Sequence, residues 1–221
     1  MRRRLMHSKP LQTLEKDIKG VPRWPAAVAL VTIGLIYLFL SQRYTIGPRW
    51  LPLAVILAFL IPINLSRWHG HLRITRRLVL LVMALVTGSV AGSAASLVIR
   101  LTIGRTNAVG LLLDAALIWV SNVLVFALWY WEIDAGGPAE RHLTGHCSTD
   151  FLFPQMTQEH LAQGWSPAFV DYLFLAFNTS TAFSPTDTMV LSRRAKALMM
   201  MQSLISLVVI AVLAARAINT L

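Results

Sequence analysis

The chain has 221 residues, 56% of them apolar and only 14% charged, with a mean hydropathy of +0.60. Water-soluble domains carry about 25% charged residues, so the composition excludes a soluble globular domain. It predicts an all-α fold: a polytopic membrane helix bundle of five or six transmembrane helices, with no room for a separate soluble domain. The single cysteine, Cys147, excludes an intrachain disulfide and a Cys-based zinc cluster.

The net charge of +10 is unevenly placed. Residues 1–24 hold seven of the twenty Lys/Arg, whereas 132–192 hold seven of the ten acids against Arg141 alone. Basic excess in short segments is what the positive-inside rule produces, and it predicts a cytoplasmic N-terminus. No folded basic surface outside the membrane accompanies it, so no nucleic-acid partner is expected.

Residues 1–24 form the first region. Ser8 can cap a helix that places Leu11, Leu14, Ile18 and Val21 on one face, with Gly20 and Pro22 as its stop. That reads as a short basic amphipathic helix in the headgroup layer of anionic lipid; a disordered basic tail is the alternative. The charged stretch is too long, and a small-residue cleavage pattern is missing, for a signal peptide.

Residues 25–131 hold four predicted spans, near 25–41, 50–65, 78–99 and 108–131. Trp24, Trp50 and Trp68 mark span ends as interfacial aromatics do. The loop 66–77, with Arg67, Arg73, Arg76 and Arg77, is expected to touch anionic lipid. Its His69-Gly70-His71 lacks the further ligands that a metal site requires. In the third span Ala84, Gly88, Gly92 and Ser96 recur every four residues. Gly88-x-x-x-Gly92 lets helix backbones approach closely, which suits packing within the bundle or a homo-oligomer; a permeation-lining face is the other reading. The fourth span contains Asp114. An acid in an apolar helix faces a cavity, a partner or the bundle interior, and Arg100 and Arg105 are within reach as partners.

Residues 132–164 read as an acidic loop, solvated, with a plain turn at 135–138. His142, His146, Cys147 and Asp150 are its only metal-like group, and the Leu143-Thr144-Gly145 break argues against the helix that would align them. Neither a metal nor another cofactor is expected.

Residues 165–221 read as a short helix, a polar break and a final transmembrane helix. Ser166-Pro167 is a helix start, and the apolar run from there to about Asn178 covers roughly 20 Å, short of the ~30 Å hydrocarbon layer. Asn178, Thr179, Ser180 and Thr181, then Ser184, Thr186, Asp187 and Thr188, form a polar run before the last helix. Ser184-Pro185-Thr186-Asp187 fits a capping pattern for that helix. A short helix, exposed hydroxyls and carbonyls, and a long helix make up a selectivity-filter outline; a polar interfacial turn is the alternative. Candidate path residues are Thr179, Ser180, Thr181, Ser184, Asp187 and Asp114. Among all these residues no acid–base pair or nucleophile set appears at recognisable spacing, so no enzymatic activity is expected.

From Trp129 onward, through WYWEIDAGGP, DFLFPQ and DYLFLAFNTSTAFSPTDTMVLSRRAKALMMMQSLISLVVIAVLAARAIN, the chain resembles a family of small bacterial integral membrane proteins known only as a domain of unknown function. The last segment is in turn distantly similar to the pore helix, filter and inner helix of two-transmembrane potassium channels. The resemblance implies a channel-like role with ions or small solutes as partners. Where those channels carry Thr-Val-Gly-Tyr-Gly, residues 180–184 here are Ser-Thr-Ala-Phe-Ser, so potassium selectivity is not implied. A non-catalytic scaffold that binds other membrane helices and lipid is the competing expectation. With residues 1–24 and 66–77 both cytoplasmic, four spans return Glu132 to the same side. The short helix then either re-enters from the cytoplasm, giving five spans, or crosses, giving six. Arg193, Arg194 and Lys196 favour re-entry, and the even span count usual in the look-alike family favours six.

Overall fold

Backbone amides with no water to bond to must satisfy one another, and an apolar chain does this most simply as helix. The computed structural model describes residues 23–103, 108–144, 149–158, 165–181 and 187–218. Helix α1 (Trp24–Phe39) is followed by α2 (Leu51–Trp68), α3 (Leu72–Ile103) and α4 (Ala108–Ile133). A 3-10 turn (Asp134–Gly136), α5 (Pro138–Thr144), β1 (Phe151–Leu152) and α6 (Pro154–Thr157) come next, then α7 (Phe169–Thr181), β2 (Met189–Val190) and α8 (Arg193–Ile218). The all-α expectation holds, with one two-residue antiparallel strand pair, Phe151 opposite Val190 and Leu152 opposite Met189. The stretches Arg73–Arg100, Val109–Gly136 and Arg193–Arg216 are long and apolar enough to cross a membrane; α1 and α2 are apolar but shorter.

Helix α4 is the axis of the bundle. It is apolar on nearly every side, and it packs against α1, α3, α7 and α8. Leu111, Ala115, Ile118, Val125, Phe126, Leu128 and Tyr130 are almost wholly buried. Side-chain hydrogen bonds fix the neighbours' heights along it: Trp129 Nε1 donates to Thr87 Oγ1 of α3 at 2.8 Å. Tyr37 of α1 meets Ser93 of α3 at 3.2 Å. Helices α1 and α2 touch where Gly34 leaves room for Leu53; a Cβ there would lie 2.7 Å from Leu53 Cδ1 and 3.1 Å from its Cα.

Helix α7 packs along α4 and α8. It starts beside the end of α4, the rings of Phe169 and Trp131 being 5.9 Å apart. It runs antiparallel to α4 as far as the level of Trp119, where Phe177 packs edge-on at 5.6 Å. By Met189 the chain is back at the starting end, paired with β1. Helix α8 then leaves that end parallel to α7. Helix α7 therefore ends inside the bundle, and α8 starts from the same end as α7 does. Thirteen residues rise only about 20 Å, too little to reach the far end.

Two further boundaries differ from the sequence reading. Helices α2 and α3 are separated by only three residues, so the basic residues 66–77 lie mostly on helix ends rather than in a loop. The last helix begins at Arg193, not after Ser184; Ser192 caps it, its Oγ accepting Ala195 N–H at 3.1 Å.

Candidate functional site

The chemistry-bearing residues collect in two places: the end of α4, where 132–158 folds over, and the interface of α7 with α8. Past Ile133 the chain reverses through Ala135 (φ 49°), Gly136 (φ 84°) and Gly137 (φ 99°). A Cβ on Gly137 would stand 3.0 Å from the Glu132 carbonyl oxygen, so this reversal needs glycine for space as well as for conformation. Ala135 holds its left-handed geometry while its N–H donates to Asp150 Oδ2 at 3.2 Å.

The reversal points Asp134, fully buried, back at its own continuation. Its Oδ1 accepts from Asp150 N (2.7 Å), Thr149 Oγ1 (2.9 Å) and Phe151 N (3.2 Å), and its Oδ2 from Tyr172 OH (2.6 Å). A buried carboxylate is costly unless it is satisfied this fully. Buried Arg141 donates to the carbonyls of Trp131 (2.7 Å) and Asp134 (2.8 Å), with its guanidinium 5.1 Å from the centre of the Tyr172 ring. Asp150, also buried, receives Arg194 as a two-point fork. Burial by itself would raise the Asp150 carboxyl, but the Arg194 fork, Ser192 and the Ala135 N–H outweigh it and hold it below the usual carboxylate range. Residues 132–144 and 149–158 are therefore a packed cap with Phe151 and Phe153 in the core, not the solvated loop that their charge suggested.

At the second place Gln202 of α8, fully buried, ties three elements together. Its Nε2 donates to Ala176 O and Ser180 Oγ of α7, both at 2.7 Å, and its Oε1 accepts from Tyr130 OH of α4. Its carbonyl accepts from Asn122 Nδ2 at 3.2 Å, which leaves Asn122 Oδ1 buried without a partner. The last carbonyls of α7, which a helix end leaves unbonded, are met by hydroxyls of α8: Ser206 to Ser180 O at 2.5 Å and Ser203 to Thr179 O at 3.5 Å.

The residues expected to line a path divide accordingly. Thr179 and Thr181 donate back into their own helix, to Leu175 O (2.8 Å) and Asn178 O (3.1 Å). Ser180 is bound to Gln202, Asp187 is exposed, and Ser184 lies outside the described residues. Asp114 belongs to the opposite end of the bundle. It is buried, and its Oδ1 accepts Ser41 N–H at 2.9 Å, so it anchors the α1–α2 connection; Arg105 lies outside the described residues. Gly88 has nothing within 4 Å of a would-be Cβ and Gly92 receives Ile46 rather than a helix. The close helix approach is at Gly34, whose only trace in the sequence is a lone glycine inside an apolar run. Among the described residues no three of His, Cys, Asp and Glu come together as metal ligands; His146 and Cys147 are outside them.

No protein-family model, curated protein or solved structure matches this chain.

Proposed function

We propose that this chain is a multi-pass protein of the bacterial inner membrane that passes ions or small solutes, with α7, the segment after it and α8 as its pore-like unit. The observation that carries the reading is the half-length course of α7, whose carbonyl end stops inside the bundle before the chain returns to the end it came from. In a bilayer, non-helical backbone at that depth is stable only when covered by protein or lining water. A helix C-terminus there offers partial negative charge to a cation, and rings of such carbonyls make filters. Thr179, Ser180, Thr181, Ser184 and Asp187 belong to this segment, and the resemblance of its sequence to channel pore modules supports the same role. The N-terminus is cytoplasmic in this reading, with residues 1–24 and 66–77 against anionic lipid. Purified protein in liposomes should pass ions down a gradient, and Thr181→Trp should change that flux. Absence of conductance at every gradient and voltage overturns the proposal.

One set of contacts favours a second reading, a non-catalytic scaffold. The hydroxyls of Thr179 and Thr181 are engaged within α7 and that of Ser180 with Gln202 of α8, and Gly88 is open to a neighbour. A scaffold would show no flux and would co-purify with itself or a helical partner, an association that Gly88→Leu should break.

A further inference from the structure

The end of the bundle that carries the cap also carries a cavity that neither reading uses. It is enclosed by α1, α2, α3 and α4, has a volume of about 260 Å³, and is walled by Leu30, Leu60, Ile63 and Leu128. Its polar lining is Arg23, Asn64 and Glu132. Glu132 is buried to 2% exposure, yet its nearest cation among the described residues, Arg23, stands 3.6 Å away, beyond hydrogen-bond distance. Asp150 and Asp134, with donors at 2.6–2.7 Å, show how this protein satisfies a buried acid when it does so internally. Among the described residues nothing does the same for the Glu132 carboxylate. Arg76 acts on it only through its charge. Asn64 donates its Nδ2 to Leu60 O at 2.8 Å, leaving the amide oxygen as an acceptor.

Leu60 and Asn64 also line a second, shallower groove of about 520 Å³ on the outer face of α2, with Leu57, Ile61, Leu65 and Trp68. Trp24 and Trp68 flank this end, strongly exposed, as side chains at a headgroup boundary are. A chamber with one acid and one guanidinium group thus shares its Leu60–Asn64 wall with an apolar trough at the end of the bundle flanked by Trp24 and Trp68.

The geometry points to a bound phospholipid with a primary-amine headgroup, its ammonium on Glu132 and Asn64, its phosphate on Arg23, and an acyl chain along the α2 groove. An ammonium brings three donors to the carboxylate, whereas a quaternary amine brings none and an anionic glycerol head brings no positive charge. This site is independent of whether α7 and α8 conduct.

The test is lipid retention by the full chain in detergent, read by mass spectrometry of the intact complex in competition between phosphatidylethanolamine, phosphatidylcholine and phosphatidylglycerol. The amine lipid should be retained about tenfold better than the choline lipid, the effect of one charge-assisted hydrogen bond. Glu132→Gln should abolish that preference, Arg23→Gln should weaken retention of the amine and glycerol lipids together, and Ala27→Phe should exclude lipid by filling the cavity without changing charge. Soluble phosphoethanolamine should not compete at matched concentration. Equal retention of the three lipids by the wild-type chain overturns the assignment, and that measurement needs no variant to fold. Displacement by the soluble head, or a preference that survives Glu132→Gln, overturns it as well.

Discussion

Arg194 holds Asp150 at two points, Nε on Oδ1 at 2.7 Å and a terminal nitrogen on Oδ2 at 2.6 Å, across 44 residues of sequence. The fork fixes the start of α8 to the cap over α4, and Leu191 N donating to Asp150 O at 2.9 Å continues the same seam. The two partners are not equivalent. The Asp150 side chain is 3% exposed and that of Arg194 55%.

Loss of either partner should therefore cost different amounts. Asp150→Asn frees an arginine that can reach water, and should destabilise by about 1–2 kcal/mol, less than a fully buried pair. Arg194→Met strands a buried carboxylate and should cost about 3 kcal/mol. Thermal unfolding of the two variants in the same detergent checks the order; the reverse order would show that the cap tolerates an unpaired acid.

The same pair sets an acid limit. Because the folded-state carboxyl of Asp150 lies below its unfolded value, the unfolded chain binds the extra proton, and stability rises with pH between the two values. The contribution is full above about pH 3.9, the unfolded value, and disappears as pH falls through the folded one. The stability gap between wild type and Asp150→Asn, followed by denaturation from neutral pH downward, should stay constant to about pH 4 and then close.

Gln202→Leu should loosen the inner end of α7. It removes two donors from α7 and the acceptor of Tyr130, a loss of about 2–3 kcal/mol for buried groups left unsatisfied. In a Cys147→Ser background, a cysteine at Thr179 should react faster with maleimide when Gln202 is replaced. An unchanged rate would mean that Ser206 and Ser203 hold the helix end unaided.

The half-length course of α7 leaves α1 and α8 both starting at one end of the bundle, so the C-terminus should lie on the membrane face opposite to residue 23. Paired reporter fusions at the two termini should give opposite signals. Equal signals would mean that α7 crosses.

Two glycines with similar sequence surroundings should respond differently. Gly34→Val forces a side chain into Leu53 and should destabilise by about 1–3 kcal/mol. Gly88→Ala enters open space and should change stability by less than about 1 kcal/mol, helix propensity alone. Unfolding midpoints of the two variants settle the comparison.

Hydropathy made the apolar helices legible, and the shortness of α7 was readable from its residue count. Which residues meet was not. Gly88-x-x-x-Gly92 is a pattern for close packing, but only a neighbour's position decides whether it is used, and here Ile46 takes part of that face while Gly34 does the work expected of it. Asp114 receives a backbone N–H from Ser41, a contact that no pattern in the sequence marks. Asp134 and Asp150 read as solvated because charge predicts exposure on average; their burial depends on Tyr172 and Arg194, donors that sequence distance hides. The polar run of α7 was visible, whereas its satisfaction by Gln202 and Ser206 needed the parallel alignment of α7 and α8.

All four donors to Asp134 follow it in the chain, the last being Tyr172, and Asp150 waits for Arg194. During synthesis α4 is thus complete before the Asp134 carboxylate just beyond it meets Thr149, Asp150 and Phe151, and water serves its Oδ2 until Tyr172 of α7 arrives. The bundle closes at this end from its youngest residues backward. A nascent chain stopped before α8 would leave the Asp150 carboxylate without Arg194, so of the two buried acids of the cap Asp150 is the last to be paired.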